Sequence, residues 1–272
     1  MQQEVEFIKL SATQNMTILI KTNHPLKDYP KIAAKIMSYD SVHAEQVGFI
    51  EKSTNDQATA KLFMAGEEFC GNSCMALACL IASEQQAEAN VVLESSGIDD
   101  LVLCNVQKNI DRYECQVKMP IPQKIWQSTI DYEGIGRDIV FIRYDSYLHI
   151  ILKVRSFSNH LKERIQDLAR LLGKALDERL IGILLYREES NELAPLIYVP
   201  ALESMVWERG CGSGTASIGI YLAWKKKREI MEKIKQPGGT IQVSANYTEK
   251  SKHVQIKGIV DIVAKGRAYI KL

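Results

Sequence analysis

Apolar and polar residues alternate along most of this chain, in short runs set off by glycine, proline, asparagine and serine. The runs VEFIKL, MTILIK, EQVGFIE, TAKLFMA, ANVVLES, DLVLCNVQ, YECQVKM, IVFIRY, LHIILKV, IGILLY, LIYV, TIQVSA, HVQIKG and AYIKL each place their apolar residues on one face of an extended strand. Spacings of three and four are clearest in YPKIAAKIMS, CMALACLIASEQQ, LKERIQDLARLLGKAL and TASIGIYLAWKKKREIMEKI, which predicts four helices. Strands outnumber helices and come in runs rather than in strict alternation with them. The pattern predicts a mixed α+β architecture.

The pattern also repeats. Strands, a Cys-Gly turn, a helix, a glycine turn and antiparallel strands occur once around Cys70 and again around Cys211, 141 positions later. Cys70 to Gly97 and Cys211 to Gly238 are both 27 residues. Such self-similarity predicts an internal duplication with two similar domains. The segment KMPIPQK, broken by Pro120 and Pro122, reads as the linker. It divides residues 1–121 from residues 122–261, with 262–272 returning to the first domain.

Composition narrows the class. The 272 residues are 46% hydrophobic and 25% charged, with a formal net charge of +1. No overall field draws the chain to nucleic acid or to an anionic membrane. No apolar run reaches the length of a membrane span, and the start MQQEVEFIKL lacks the basic and apolar regions of a signal peptide. A cytoplasmic protein is expected. Six cysteines in a chain of this kind do not suggest a disulfide framework. Cys79, Cys104 and Cys115 read as small buried hydrophobes.

Cys70 and Cys211 are different, because each opens a helix. The first N–H groups of a helix lack internal partners and carry partial positive charge. They favour a thiolate, whose pKa at such places can fall well below the usual value. They also bind carboxylates. Two copies of this unit suit inversion of a stereocentre: one thiolate takes the α-proton and the opposite thiol returns one to the other face. Neither a metal nor an organic cofactor is required for that chemistry. Cys74 reads as core packing rather than half of a metal pair. The loop GCGSG lacks the spacing and the lysine of a phosphate cradle. WKKKRE reads as a solvated helix face.

With these residues in place, the chain resembles the diaminopimelate epimerase fold family along nearly its whole length. Cys70-Gly71-Asn72, Cys211-Gly212-Ser213-Gly214, Asn15 in ATQNMTI, Gln46 in EQVGFIE and the turn Pro237-Gly238-Gly239 match its segments. The resemblance implies two pseudo-symmetric domains, each a mixed curved sheet around a central helix, with the active site in the cleft. It implies a PLP-independent reaction with Cys70 and Cys211 as the acid–base pair, and suggests a homodimer. Backbone N–H groups at Asn72, Ser73, Ser213, Gly214 and Thr215 would hold the α-carboxylate, with Gly71 and Gly212 also at the substrate.

The departures concern the substrate. Three asparagines of the epimerases are replaced, by position, by Met64, Tyr147 and Ile181, while His149 and the pair Glu208-Arg209 remain. EQVGFIE, PLIYVPALESMVWERGCGSGTASIGI, QPGGTIQV and KGRAYIKL are similar to the histidine racemases of staphylopine-type metallophore pathways, a bacterial branch of the same fold family. That similarity implies interconversion of L- and D-histidine and adds Glu45 to the site. Glu208-Arg209 keep a diaminopimelate epimerase open as the alternative. A non-catalytic amino-acid-binding protein is the alternative of a different class.

Overall fold

The computed structural model describes residues 2–110, 112–132, 135–176, 178–200 and 203–271. In chain order the elements are β1 (Gln2–Ala12), β2 (Asn15–Ile20), α1 (Tyr29–Met37), β3 (Gln46–Glu51), β4 (Ala60–Met64), α2 (Gly71–Gln85), β5 (Ala89–Ser95), β6 (Val102–Asn109) and β7 (Arg112–Lys118). Then follow β8 (Lys124–Tyr132), β9 (Ile135–Arg143), β10 (Leu148–Lys153), α3 (Asn159–Leu176), β11 (Ile181–Arg187), β12 (Glu192–Val199), β13 (Ser204–Trp207), α4 (Gly212–Lys226), β14 (Ile230–Gln236), β15 (Gly239–Tyr247) and β16 (Lys252–Lys271). The protein is α+β, and its chain divides into two compact units. One comprises the residues up to Lys118 and from Lys257 onward; the other is Met119–Ile256.

In the first unit the strands run in the order β1-β2-β3-β4-β5-β6-β7-β16, and β16 pairs back onto β1, closing a barrel. Closure leaves no open edge. The pairs β2–β3 and β4–β5 are parallel. Helix α2 packs against β1, β2, β4, β5, β6 and β7, and every residue from Gly71 to Leu80 is buried. Helix α1 covers the other face. Its Tyr29, Ile32, Ala33 and Ile36 meet Val5, Phe7, Ile18, Ile20, Val47 and Phe49, with Tyr29 stacked on Phe49 at 3.6 Å.

The second unit has the order β15-β14-β12-β11-β10-β9-β8, with β13 paired to β12 and the first residues of β16 beyond β15. Alternation on β10 and β11 separates two faces. Leu148, Ile150, Leu152, Ile181, Ile183 and Leu185 pack with Ile165, Leu168 and Ala169 of α3. The intervening His149 and Gly182 face the other way, toward α4. Helix α4 packs against β10, β14 and β15 and is buried throughout from Gly214 to Ala223. Its close approach to β15 depends on Gly219, where a Cβ would stand 2.4 Å from Cγ2 of Val243.

Three features differ from the pattern expected of the sequence. The fourth helix stops at Lys226, because Lys227 takes a left-handed φ of 54°, and IMEKIKQ forms β14 with Ile230 and Ile234 inward. WKKKRE is therefore only half helical. HVQIKG and AYIKL are one continuous strand, β16, rather than two. Strands β8 and β13 were not expected: Lys124, Gln127, Ser128 and Thr129 of β8 are exposed and β13 is only half-buried, so neither shows a clean buried stripe. The family asparagine position assigned to Ile181 lies in the α3 core, on the opposite face of β11 from Gly182.

The segments around the two cysteines keep one spacing. Helices α2 and α4 are each 15 residues, and their C-caps Gln86 and Lys227 are both left-handed, with φ of 55° and 54°. Strands β5 and β14 follow at matching offsets.

Alanine at position 219 should gain about 1 kcal/mol in helix propensity. Because a branched valine on a paired strand cannot yield cheaply, Gly219→Ala is nonetheless expected to lower stability by about 1–3 kcal/mol. Urea denaturation measures this, and a stabilised variant would contradict the close packing of α4 on β15.

Candidate active site

Each cysteine is the N-cap of an enclosed helix. Cys70 has extended dihedrals, φ −130° and ψ 106°, and its Sγ accepts the N–H of Ser73 at 3.4 Å. Cys211 has φ −111° and ψ 109°, and its Sγ accepts the N–H of Gly214 at 3.3 Å. The cysteine carbonyls take the next donors, Cys74 N–H at 3.0 Å and Thr215 N–H at 3.0 Å. This is N-capping with sulfur in the place of a serine or aspartate oxygen. It corrects the expected donor set: the N–H groups of Ser73, Gly214 and Thr215 are engaged by the cysteines themselves.

In the first unit β2 and β3 start side by side, and β3 brings Gln46 to Cys70. A two-residue turn with φ of 53° at Thr13 and 60° at Gln14 leads into Asn15, which is fully buried and accepts the Thr17 hydroxyl at 3.3 Å. The Glu45 N–H donates to the Met16 carbonyl at 2.9 Å. Gln46, the first residue of β3, accepts the Cys70 thiol on its Oε1. The Ser73 hydroxyl lies 3.1 Å from the same Oε1 and 3.2 Å from the Cys70 sulfur. Asn72 is buried in the first turn of α2. Asn15, Glu45, Gln46, Cys70, Gly71, Asn72 and Ser73 are thus all carried by β2, β3 and the start of α2.

In the second unit the Cys211 N–H donates to Oε1 of Gln236 at 2.7 Å, while Nε2 of Gln236 donates to the Thr215 hydroxyl at 2.7 Å. That hydroxyl donates to the Cys211 carbonyl at 2.7 Å, which completes a clamp on the helix start. Gly214 leaves room for the sulfur, since a Cβ there would stand 3.1 Å from Sγ. Ser213 Oγ is 3.5 Å from Cys211 Sγ. Glu208 is buried and interacts with the Cys211 thiol. Arg209 is exposed, with its guanidinium 3.4 Å from the Pro237 carbonyl. His149 is fully buried: its Nδ1 meets the Ser217 hydroxyl of α4 at 2.8 Å, and Ser217 meets Tyr144 OH at 2.8 Å. Tyr147 packs on His149 at 4.8 Å.

The glycine turns brace the cysteine loops, which explains the repeated 27-residue spacing. Gly97, with φ of 73°, lies against the backbone before Cys70, where a Cβ would stand 2.2 Å from the Phe69 nitrogen. Gly238 donates its N–H to the Arg209 carbonyl, two residues before Cys211, at 2.7 Å.

Electrostatics overturn the lowered thiol pKa expected of a helix start. Burial pushes Cys70 well above the ordinary thiol range, more than the Ser73 hydroxyl and N–H pull it back. Cys211 is pushed up by burial and then by the Glu208 carboxylate, against the opposing effects of Ser213 and the Gly214 N–H. Desolvation of a full charge outweighs the few donors a helix terminus supplies. Both thiols are neutral at rest. Burial also lowers His149 to about 3, so its imidazole is neutral.

Sequence reasoning missed Gln236. Gln236 directly precedes the Pro-Gly-Gly turn, and it occupies the place that Ser95, a partner of Cys74 at 3.7 Å, has in the first half. Cys74, Cys79, Cys104 and Cys115 are all buried. Among the described residues no group of three or more His, Cys, Asp or Glu side chains is placed to hold a metal ion, and no helix is long and apolar enough to cross a membrane.

Comparison with known proteins identifies the family. A family model described as the histidine racemase CntK N-terminal domain matches residues 4–269. A histidine racemase of Staphylococcus aureus strain Mu50 is 33% identical over 99% of both chains. A histidine racemase of Fusobacterium nucleatum subsp. nucleatum is 30% identical over 98% of both. Among solved structures, a hydroxyproline epimerase from Agrobacterium vitis with bound trans-4-hydroxy-L-proline shares the fold, with a TM-score of 0.73 at 10% identity, covering 98% of this chain and 93% of that one. The chain belongs to the histidine racemase family and is a PLP-independent amino-acid racemase.

Proposed function

We propose that the protein interconverts L- and D-histidine with Cys70 and Cys211 as the two acid–base groups on one substrate carbon. The observation that carries this reading is the duplicated sulfur N-cap: two thiols, each at the open start of a buried helix, in a chain of the histidine racemase family. Inversion without a cofactor needs one group on each face of Cα, and a duplicated fold supplies two. In this reading the two units are pseudo-symmetric domains, each built around its helix. The N–H groups of Gly71-Asn72 and Gly212-Ser213 receive the α-carboxylate. As negative charge develops there, each well-placed donor contributes about 3 kcal/mol of transition-state stabilisation.

A neutral thiol has to lose its proton before it can act as a base. For Cys211 the adjacent Glu208 carboxylate is the acceptor in this proposal. Asn15, Glu45, Gln46, His149, Ser73, Arg209, Gly214 and Thr215 shape and support the site. The wider proposal is that the product D-histidine feeds an opine-type metallophore of the staphylopine kind, in the cytoplasm, from a homodimer.

Incubation with L-histidine in heavy water is expected to exchange the α-proton and yield D-histidine. Cys70→Ser and Cys211→Ser should each lose about 10²–10⁴-fold in kcat/KM while remaining folded. Exchange with diaminopimelate but not with histidine defeats the substrate assignment. Full racemisation by either serine variant defeats the two-thiol mechanism, and histidine binding without exchange in the wild type returns the protein to the binding class.

The raised thiol pKa values make a second prediction. Alkylation proceeds through the thiolate, so below the pKa its rate rises about tenfold per pH unit. Cys70 and Cys211 should alkylate more slowly than free cysteine at pH 7.5 and keep accelerating through pH 9, as read by peptide mass spectrometry. A plateau below pH 8 would show thiolates already formed.

A further inference from the structure

One side chain that is neither acid nor base holds Cys211 from both sides of its Cα. Gln236 is buried and ends β14. Its Oε1 accepts the Cys211 N–H at 2.7 Å, and its Nε2 donates to the Thr215 hydroxyl at 2.7 Å. That hydroxyl in turn donates to the Cys211 carbonyl at 2.7 Å. Both peptide groups flanking the Cys211 Cα are therefore tied to one carboxamide. The turn after Gln236 adds a third tie, since the Gly238 N–H donates to the Arg209 carbonyl at 2.7 Å.

Fixing the N–H and the C=O of one residue fixes its two peptide planes, and with them φ and ψ. Cys211 is held at φ −111° and ψ 109°, and these angles aim its Cα–Cβ bond. The Gly214 N–H, 3.3 Å from the sulfur, then selects the rotation about that bond. A carboxamide suits the task because it accepts and donates at once without adding charge beside the thiol. The first half has no carboxamide at the matching place. Counted from its cysteine, Ser95 stands where Gln236 does and Cys74 where Thr215 does. Those two meet at 3.7 Å, and the Ser95 hydroxyl donates to the Ser96 carbonyl at 3.2 Å. Cys70 is held through its sulfur instead, by Gln46 and the Ser73 hydroxyl. The duplicated halves have thus diverged in how each thiol is placed.

We propose that Gln236 is a positioning residue of the reaction, which fixes through the Cys211 backbone the line along which the Cys211 sulfur meets the substrate α-proton. The inference rests on the acid–base role proposed for Cys211. In one direction the Cys211 thiolate takes the α-proton, and the electron pair of the C–H bond stays on the substrate. In the other the Cys211 S–H bond breaks toward the substrate carbanion, and the sulfur keeps the electron pair. Gln236 exchanges no proton in either direction. Its effect is geometric: sulfur, proton and carbon must lie nearly in line, and a misplacement of about 1 Å can cost about 10²-fold in rate. Thr215 shares the task, because its hydroxyl carries the tie from Gln236 to the Cys211 carbonyl.

The test is Gln236→Met, which keeps the length of the side chain and removes both of its hydrogen bonds. The expected result with histidine is a fall of about 10²-fold in kcat, with KM changed by less than about threefold. Isotope effects with the two enantiomers supply a reading that loss of structure does not move. With the enantiomer whose α-proton goes to Cys211, α-deuteration should slow the variant more than it slows wild type. With the mirror image, whose α-proton goes to Cys70, it should slow the variant less. Partial unfolding lowers kcat and leaves both effects where they were. Should Gln236→Met fail to fold, Thr215→Val, which cuts the tie to the Cys211 carbonyl and keeps the one to its N–H, is expected to move both effects in the same directions. A kcat within about threefold of wild type overturns the proposal, as do isotope effects that stay constant or move together while kcat falls. Cys211→Ser separates the two levels: if it racemises histidine normally, the role of Cys211 itself fails. If it is inactive while Gln236→Met is fully active, only the Gln236 inference fails.

Discussion

A buried helix must find partners for its first N–H groups, and here a cysteine sulfur provides one of them in each unit. Helices α2 and α4 are enclosed over most of their length, so water cannot satisfy those donors. The sulfur takes the third N–H and the cysteine carbonyl the fourth. The thiol protons turn to side chains, Gln46 for Cys70 and Glu208 for Cys211. Small residues then follow of necessity: Gly214 clears the sulfur, Gly219 lets α4 approach β15, and Gly97 lets its turn press on the cysteine loop.

The same enclosure decides the chemistry. A helix terminus in water favours a thiolate, but one within a core must first overcome the loss of hydration, and here it does not. Neutral thiols are inert toward adventitious alkylation and oxidation, since the thiolate is the reactive form. Beside Cys211 the fold also holds a buried carboxyl, Glu208, whose loss of hydration is itself costly. His149 is different. Held neutral between Ser217 and Gly182, it ties β10 to α4 through a hydrogen-bond chain that ends at Tyr144.

The sequence by itself determined the strand-rich α+β character, the positions of α1, α2 and α3, the two cysteine-headed helices and their constant spacing, because each is a local or periodic property of the chain. It placed Asn15, Gln46 and the two Cys-Gly turns through their motif. It did not determine where α4 ends, because IMEKIKQ has apolar residues compatible with either period, and only pairing with β15 selects the strand. It could not show β8, whose side chains are largely exposed, nor that β16 runs unbroken from one unit into the other. Only the tertiary structure decided that Ile181 faces α3, that Gln236 clamps Cys211 and that both thiols are neutral. Each of these depends on which residues, distant in sequence, exclude water from one another, and no local pattern encodes that.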